Sequence, residues 1–369
     1  MQYRKFGNSN TMISALGFGT MHLPTRKDHS YDVDESIRML HKAFELGVNY
    51  VDTATLYCNN QSEIIVGKAL KGWRDKIMLS TKYQLESISP EDLRMRLEIS
   101  LKNLSTDSID YYHLWAANWD NFQKIITTKT LKELEKIKDE GLIKNLSFSF
   151  HDKPENMAKI IDAYGGFSSV LCQYNLLDRS NEDAIYNARD KGLGVAIMGP
   201  IGGGKLGYPS NAIQSLLLGK SASSPEIALR FVLSHPAVSC ALSGMSDMKH
   251  VEENVRVASN TEPLSEAELK QIMVSLEENK KRADLYCTGC NYCMPCPQGV
   301  GIPQIFEMMN YHRVYNLTEY ARNEYKQIGE EWANYGKVSD CIDCGQCETK
   351  CPQKIEIRRQ LHESEKILA

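Results

Sequence analysis

The chain has 369 residues and is 42% apolar, long enough for one large core and a smaller second one. Its net charge is −4, with 43 basic and 47 acidic residues spread along the length, so there is no basic footprint for nucleic acid. No apolar stretch reaches membrane-spanning length, and Met-Gln-Tyr-Arg-Lys-Phe-Gly leads into no signal-peptide core, so a cytoplasmic protein without membrane contact is expected.

From about residue 11 to 243, short apolar runs alternate with amphipathic stretches. Strands are predicted at 13–17, 49–52, 77–81, 108–114, 143–148, 169–173, 194–198 and 237–243. Helices are predicted near 34–46, 62–71, 90–104, 129–139, 154–163, 182–190 and 225–234. Ser89-Pro90-Glu91-Asp92 supplies a cap, a proline at the first helical position and early acids. Eight strands, each followed by a helix, point to a (β/α)8 TIM barrel. The doubly wound alternative lacks a G-x-G-x-x-G after any early strand. A further helix is expected from Ser265, which caps it, and a helical insert begins near Gly301.

Barrel chemistry sits at the C-terminal ends of the strands. There the sequence places Asp52, then Tyr57 in the following loop, Lys82 after Leu79-Ser-Thr, and His113 within Ile109–Trp115. A lysine beside a phenol lowers the phenol pKa, and a carboxylate holds the lysine, so these four form a candidate proton-transfer group. Taken singly, the Asp also suits a helix cap and the Tyr and His suit a core.

Eight of the eleven cysteines fall in two runs: Cys287, Cys290, Cys293 and Cys296-Pro297, then Cys341, Cys344, Cys347 and Cys351-Pro352. The second run has the C-x2-C-x2-C-x3-C-P spacing of bacterial ferredoxins, and four thiolates so close suit a cuboidal cluster in which each sulfur takes its own iron. A zinc site is the rival, but one tetrahedral ion does not need two such runs. The first run departs from the pattern, with two residues before its last cysteine instead of three. The segment resembles a two-[4Fe-4S] ferredoxin module. With that module's cross-over, Cys287, Cys290, Cys293 and Cys351 bind one cluster, and Cys341, Cys344, Cys347 and Cys296 the other. Such thiolates need a reducing compartment. Cys58, Cys172 and Cys240 read as buried small hydrophobes.

Residues 1 to about 260 resemble an aldo-keto reductase. The resemblance is carried by Tyr3–Gly7, Leu16-Gly-Phe-Gly-Thr20, Gly47-Val-Asn-Tyr-Val-Asp-Thr-Ala-Thr-Leu-Tyr57, Ser62-Glu63, Ser80-Thr-Lys82, Ser100-Leu-Lys-Asn-Leu104 and Glu253-Asn254. With the tail, the chain is similar to the branch in which that barrel carries a ferredoxin-like module. The resemblance implies a nicotinamide cofactor, NADPH or NADH, bound without a Rossmann motif, and an Asp–Tyr–Lys–His tetrad whose tyrosine is the general acid. Asp52, Tyr57 and Lys82 match. Trp115 falls at the histidine position and His113 two residues earlier, leaving three readings: His113 substitutes, the site works without it, or the barrel has become a binding subunit.

The same resemblance places the carboxamide of the nicotinamide at Ser149 and Gln173, the pyrophosphate at the glycines of Gly199–Lys205, including Gly202 and Gly203, and the adenosine end near Ser243 and Asn254. A flavin, or no diffusible hydride carrier, is the alternative to a nicotinamide. The expected protein therefore has a reductase-like barrel over 1–262 and a small α-helical, ferredoxin-like iron–sulfur domain with a helical linker over 263–369. It would be an oxidoreductase acting on a small carbonyl or unsaturated substrate, with a ferredoxin or similar redox partner. The rival reading is a non-catalytic electron-transfer or redox-sensing protein whose barrel binds a nucleotide or partner.

Overall fold

In the computed structural model of the chain, all residues are described except 87, 217–221, 261, 283–286, 333 and the side chains of 280 and 282. The chain opens with β1 (Tyr3–Lys5) and β2 (Met12–Ser14), an antiparallel pair. The barrel elements follow as β3 (Leu16–Gly19), α1 (Val33–Glu45), β4 (Tyr50–Asp52), α2 (Ser62–Ala69), β5 (Met78–Gln84), α3 (Pro90–Leu104) and β6 (Ile109–Ala117). Next come α4 (Trp119–Thr127), α5 (Thr130–Asp139), β7 (Ile143–Phe150), α6 (Pro154–Ala163), β8 (Ser169–Gln173), α7 (Glu182–Asp190) and β9 (Gly194–Met198). After α8 (Asn211–Gln214) and α9 (Ser224–Leu233), β10 (Cys240–Gly244) and α10 (Met248–Ser259) complete the ring. The strands close in the order β10-β3-β4-β5-β6-β7-β8-β9, all parallel.

The predicted strand at 13–17 divides in two. Asn49 Oδ1 accepts the Ser14 amide at 2.6 Å and Ser14 Oγ accepts the Asn49 amide at 3.0 Å, which ties the hairpin off before Leu16 begins the barrel. Around the barrel, α4, the short α8 and α10 add to the expected set. α4 exists because Asn118 and Asn121 cap each other's backbone, and Lys129, at φ 63, separates it from α5. α10 is capped by Asp247, which accepts the Lys249 amide at 2.7 Å.

Phe6, just past β1, plugs the N-terminal end of the barrel edge-on to Tyr111 (centroids 4.9 Å apart) and Tyr50 (5.7 Å), within a buried cluster that includes Leu171 and Leu242. Burying such a ring stabilises by roughly 1.5–3 kcal/mol. Gly194 is required here, since a Cβ would meet Phe6 Cδ2 at 2.3 Å.

The chain forms two compact units, residues 1–203 with 228–264, and residues 204–227 with 265–369. The second contains α11 (Glu266–Arg282), α12 (Ile302–Tyr315), α13 (Thr318–Gln327), α14 (Gln346–Lys350) and α15 (Ile357–Leu368). Ser265 and Glu268 cap α11 reciprocally, Ser265 Oγ accepting the Glu268 amide and Glu268 Oε2 the Ser265 amide. α12 packs on α13 and α15, and Tyr208, Tyr311 and Tyr320 meet edge to face within this unit, centroids 5.5–5.8 Å apart. Among the described residues, no helix is long and apolar enough to cross a membrane.

Candidate active site

Register aligns the polar positions of the lumen: Asp52 pairs with Ser80, and Lys82 with His113. Lys82 is almost fully buried, and its ammonium lies 2.5 Å from Asp52 Oδ1 and 2.6 Å from the Thr53 carbonyl oxygen, to both of which it donates. The other Asp52 oxygen accepts the Ser80 hydroxyl at 2.7 Å. Isolated charges at this depth would each cost several kcal/mol, and here each is neutralised and hydrogen-bonded.

Tyr57 arrives on the loop after β4. The next three residues, Cys58, Asn59 and Asn60, have φ of 55°, 51° and 65°, a left-handed run that turns the chain back and that asparagine tolerates. The Lys82 ammonium sits 4.6 Å from the Tyr57 ring centroid. Burial pushes the phenol above its ordinary value, and the Lys82 charge opposes this without cancelling it. The lowering expected from the lysine alone is thus outweighed by desolvation, and the phenol keeps its proton at neutral pH.

His113 lies deeper. It is fully buried, 3.7 Å from Asp52 Oδ2, with no hydrogen-bond partner at either ring nitrogen. Trp115, not an imidazole, stands beside the phenol, edge-on to Tyr57 with centroids 5.6 Å apart at 87°. Past Trp115 the β6–β7 register shifts, with Ala116 at φ 52 donating its amide to Ser149 Oγ at 2.9 Å. That irregularity had no signature in the apolar pattern.

Burial lowers the His113 pKa to about 4, against a smaller upward pull from Asp52. Between that value and about 6.5, the unfolded imidazole binds a proton that the fold refuses. The stability is complete above pH 6.5 and is lost as pH falls through this window, about 3 kcal/mol in all. His113→Gln is expected to flatten this part of the pH dependence in urea unfolding between pH 7.5 and 4; an unchanged slope would place its origin elsewhere.

Other residues that carried the family resemblance form a buried brace around the site. The Ser62 hydroxyl meets Thr20 Oγ1 at 2.7 Å and Thr53 Oγ1 at 2.8 Å; Glu63 accepts from Thr81 Oγ1 at 2.7 Å and Asn103 Nδ2 at 3.1 Å. Their spacing marked them in the sequence, but their mutual contacts join α2 to β5, α3 and the loops after β3 and β4, and were not visible there.

The candidate cofactor residues lie at or beyond the C-terminal ends of four strands. Ser149 is near the end of β7 and Gln173 ends β8, where Gly199 leaves room for its amide: a Cβ would stand 2.5 Å from Gln173 Oε1. Gly202 and Gly203, at φ 63° and 67°, open a short 3-10 turn after β9, and nothing lies within 4 Å of a Cβ built on Gly203. Ser243 in β10 accepts from Asn254 Nδ2 of α10 at 3.1 Å.

In the second unit the cysteines line two cavities. One has Cys287, Cys290, Cys293 and Cys351 on its wall with Ile302, Pro303 and Phe306. The other has Cys296, Cys341, Cys344 and Cys347, with Cys293 also reaching it. Each cavity thus gathers three cysteines of one run and the last of the other. Among the described residues, no group of three or more His, Cys, Asp or Glu side chains is placed to hold a single metal ion. A cuboidal cluster asks for a wider set, because every sulfur meets a different iron. Cys58, Cys172 and Cys240 are buried, and burial alone pushes the Cys172 thiol to about 12.

A closed parallel barrel with a lysine–carboxylate pair against a phenol, continued by two cysteine-lined cavities, describes an oxidoreductase joined to a redox module. Residues 15–277 match the aldo/keto reductase family, and residues 286–356 match the 4Fe-4S dicluster domain. The chain belongs to the aldo/keto reductase family. It is 29% identical over 320 residues to an uncharacterized oxidoreductase of Bacillus subtilis, covering 78% of this chain and 98% of that protein. It is 26% identical over 296 residues to the L-galactose dehydrogenase of Arabidopsis thaliana, covering 72% and 90%. The holo form of an aldo-keto reductase from Bacillus halodurans superposes with a TM-score of 0.64 at 30% identity, covering 74% of this chain and 96% of that one.

Proposed function

We propose that the protein reduces a small carbonyl or unsaturated compound at the Tyr57 site and exchanges electrons with a redox partner through two [4Fe-4S] clusters. The observation that carries this is the Lys82 ammonium, fixed by Asp52 at 2.5 Å and set against the Tyr57 phenol, 4.6 Å from its ring centroid. A phenol that stays protonated can give its proton to a substrate oxygen, and the adjacent ammonium stabilises the phenolate left behind. Asp52 keeps the lysine charged and in place. His113, neutral behind Asp52, acts on the pair's position and not on the substrate proton. Trp115 shapes the pocket wall beside the phenol.

A nicotinamide, when bound, supplies hydride, and the clusters supply single electrons. Ser149 and Gln173 would hold the carboxamide, the Gly202 and Gly203 amides the pyrophosphate, and Ser243 and Asn254 the adenosine end, with NADPH or NADH as the carrier. Cys287, Cys290, Cys293 and Cys351 would hold one cluster, and Cys296, Cys341, Cys344 and Cys347 the other. Free thiolates of this kind suit a reducing compartment such as the cytoplasm, with a ferredoxin as the partner.

Trp115 in the imidazole's place favours a second reading, a non-catalytic electron carrier or redox sensor. An anaerobic assay of the reconstituted protein separates them, supplying NADPH, NADH or reduced ferredoxin with a panel of aldehydes, ketones and enones. The expected result is consumption of at least one substrate with bleaching of cluster absorbance by the competent reductant. Consumption of none, with the clusters still reducible, would leave the electron carrier as the reading.

A further inference from the structure

A second histidine stands on the strand next to Trp115, nearer the mouth of the barrel. Along β7, Phe148 turns outward and packs on Phe167, centroids 4.7 Å apart, and Phe150 lies edge-on to Phe148 on the same side. Strand alternation therefore turns Ser147, Ser149 and His151 toward the lumen. Ser147 pairs with His113, so His151 lies two lumen positions nearer the mouth than that pair.

His151 lies one residue past the end of β7, yet three bonds fix this segment to the end of β6. The His151 amide donates to the Ala117 carbonyl at 3.0 Å, Ser149 Oγ accepts the Ala116 amide at 2.9 Å, and Asp152 Oδ2 accepts the Trp119 amide at 2.8 Å. The imidazole is thus held beside the strand that carries Trp115, on the face that Trp115 shares with His113.

Its hydrogen-bonding capacity follows from one contact. His151 Nδ1 lies 3.4 Å from the Ser149 carbonyl oxygen. A carbonyl only accepts, so the neutral ring carries its hydrogen on Nδ1 and keeps a lone pair on Nε2. Among the described residues Nε2 has no hydrogen-bond partner, and the side chain is exposed. Desolvation by the surrounding rim, with a smaller push from the Lys82 charge, holds the ring below its ordinary pKa, and it is neutral at pH 7.

We propose that His151 determines the specificity of the Tyr57 site: its Nε2 accepts a hydrogen bond from a hydroxyl on the carbon next to the substrate carbonyl, so that small α-hydroxy aldehydes and ketones are preferred. The inference rests on the carbonyl-reducing reading of Tyr57 in the preceding subsection. The pocket then offers three chemistries in sequence. The Tyr57 phenol donates to the carbonyl oxygen, Trp115 supplies an apolar wall, and Nε2 takes the neighbouring hydroxyl. An alkyl group in place of that hydroxyl would take water from Nε2 and return no hydrogen bond, which is the source of the discrimination.

The test uses reconstituted holoprotein, the reductant that supports turnover in the anaerobic assay, and two pairs of substrates matched in size: hydroxyacetone with butanone, and glycolaldehyde with propanal. In wild type, kcat/KM is expected to favour the hydroxylated member of each pair about tenfold, as one net hydrogen bond implies. His151→Phe should bring that ratio to about one, and His151→Gln, whose amide oxygen can still accept, should keep part of it. Thermal unfolding of both variants checks that the exposed position tolerates the change. A ratio near unity in wild type would overturn the assignment and leave the proposed function standing. So would a wild-type ratio preserved in His151→Phe, because a loss shared equally within each pair belongs to a structural role. Turnover of other aldehydes, ketones or enones but of neither pair would overturn it as well. No turnover of any compound would remove the carbonyl-reducing reading itself, and this inference with it.

Discussion

Tyr57→Phe is expected to cut carbonyl turnover by about 10²- to 10⁴-fold, the usual worth of a positioned general acid. The substitution removes one oxygen and keeps the ring. The edge contact with Trp115 and the cation–π contact with Lys82 persist, and Lys82 stays satisfied by Asp52 and the Thr53 carbonyl. Folding and nucleotide affinity should therefore be unchanged, which thermal unfolding and a nucleotide titration would check. The defect should fall on kcat and kcat/KM together, because the proton is needed only in the transition state. Because burial holds the phenol above its ordinary value, wild-type reduction should decline only on the alkaline side. Turnover that survives the substitution for every accepted substrate would remove Tyr57 from the chemistry.

The second large effect concerns the cysteines. A Cys287→Ser/Cys351→Ser double variant is expected to keep one cluster, about four irons per chain against about eight in wild type. Both residues line the same cavity although 64 positions separate them in the chain, and Cys296, Cys341, Cys344 and Cys347 line the other. If each run instead bound its own cluster, the same variant would damage both and iron would fall toward zero. Iron analysis with the electron paramagnetic resonance of the dithionite-reduced protein distinguishes the two. The companion variant, Cys287→Ser/Cys341→Ser, takes one residue from each cavity and should lose both clusters.

The two results probe parts of the molecule that were legible to different degrees. The alternation of apolar runs and amphipathic segments carried the barrel, because strand and helix periods are local and a parallel strand buried on both faces must be apolar along its length. Helices with strong caps were read to the residue: α3 begins after Ser89, whose hydroxyl accepts the Asp92 amide at 3.1 Å, and it starts with Pro90 as the sequence indicated. α4 is absent from the sequence reading although Trp119, Phe122, Ile125 and Ile126 recur at helical spacing behind the Asn118–Asn121 cap, and the first strand is misplaced because 13–17 is apolar across the boundary between hairpin and barrel. Asp52, Lys82 and Tyr57 stood out as polar groups at strand ends, and the barrel brings them together.

Local chemistry alone determined the eightfold count of barrel strands, the polar positions at their ends and the presence of two cysteine runs, since each depends on residues within a few positions of one another. Only tertiary structure decided that burial outweighs the lysine at Tyr57, that His113 sits behind Asp52 while Trp115 takes the place beside the phenol, and which cysteines share a cavity. Depth in a barrel lumen follows from register and closure over all eight strands, and the β6–β7 pairing slips by one residue between Leu114 and Ala117.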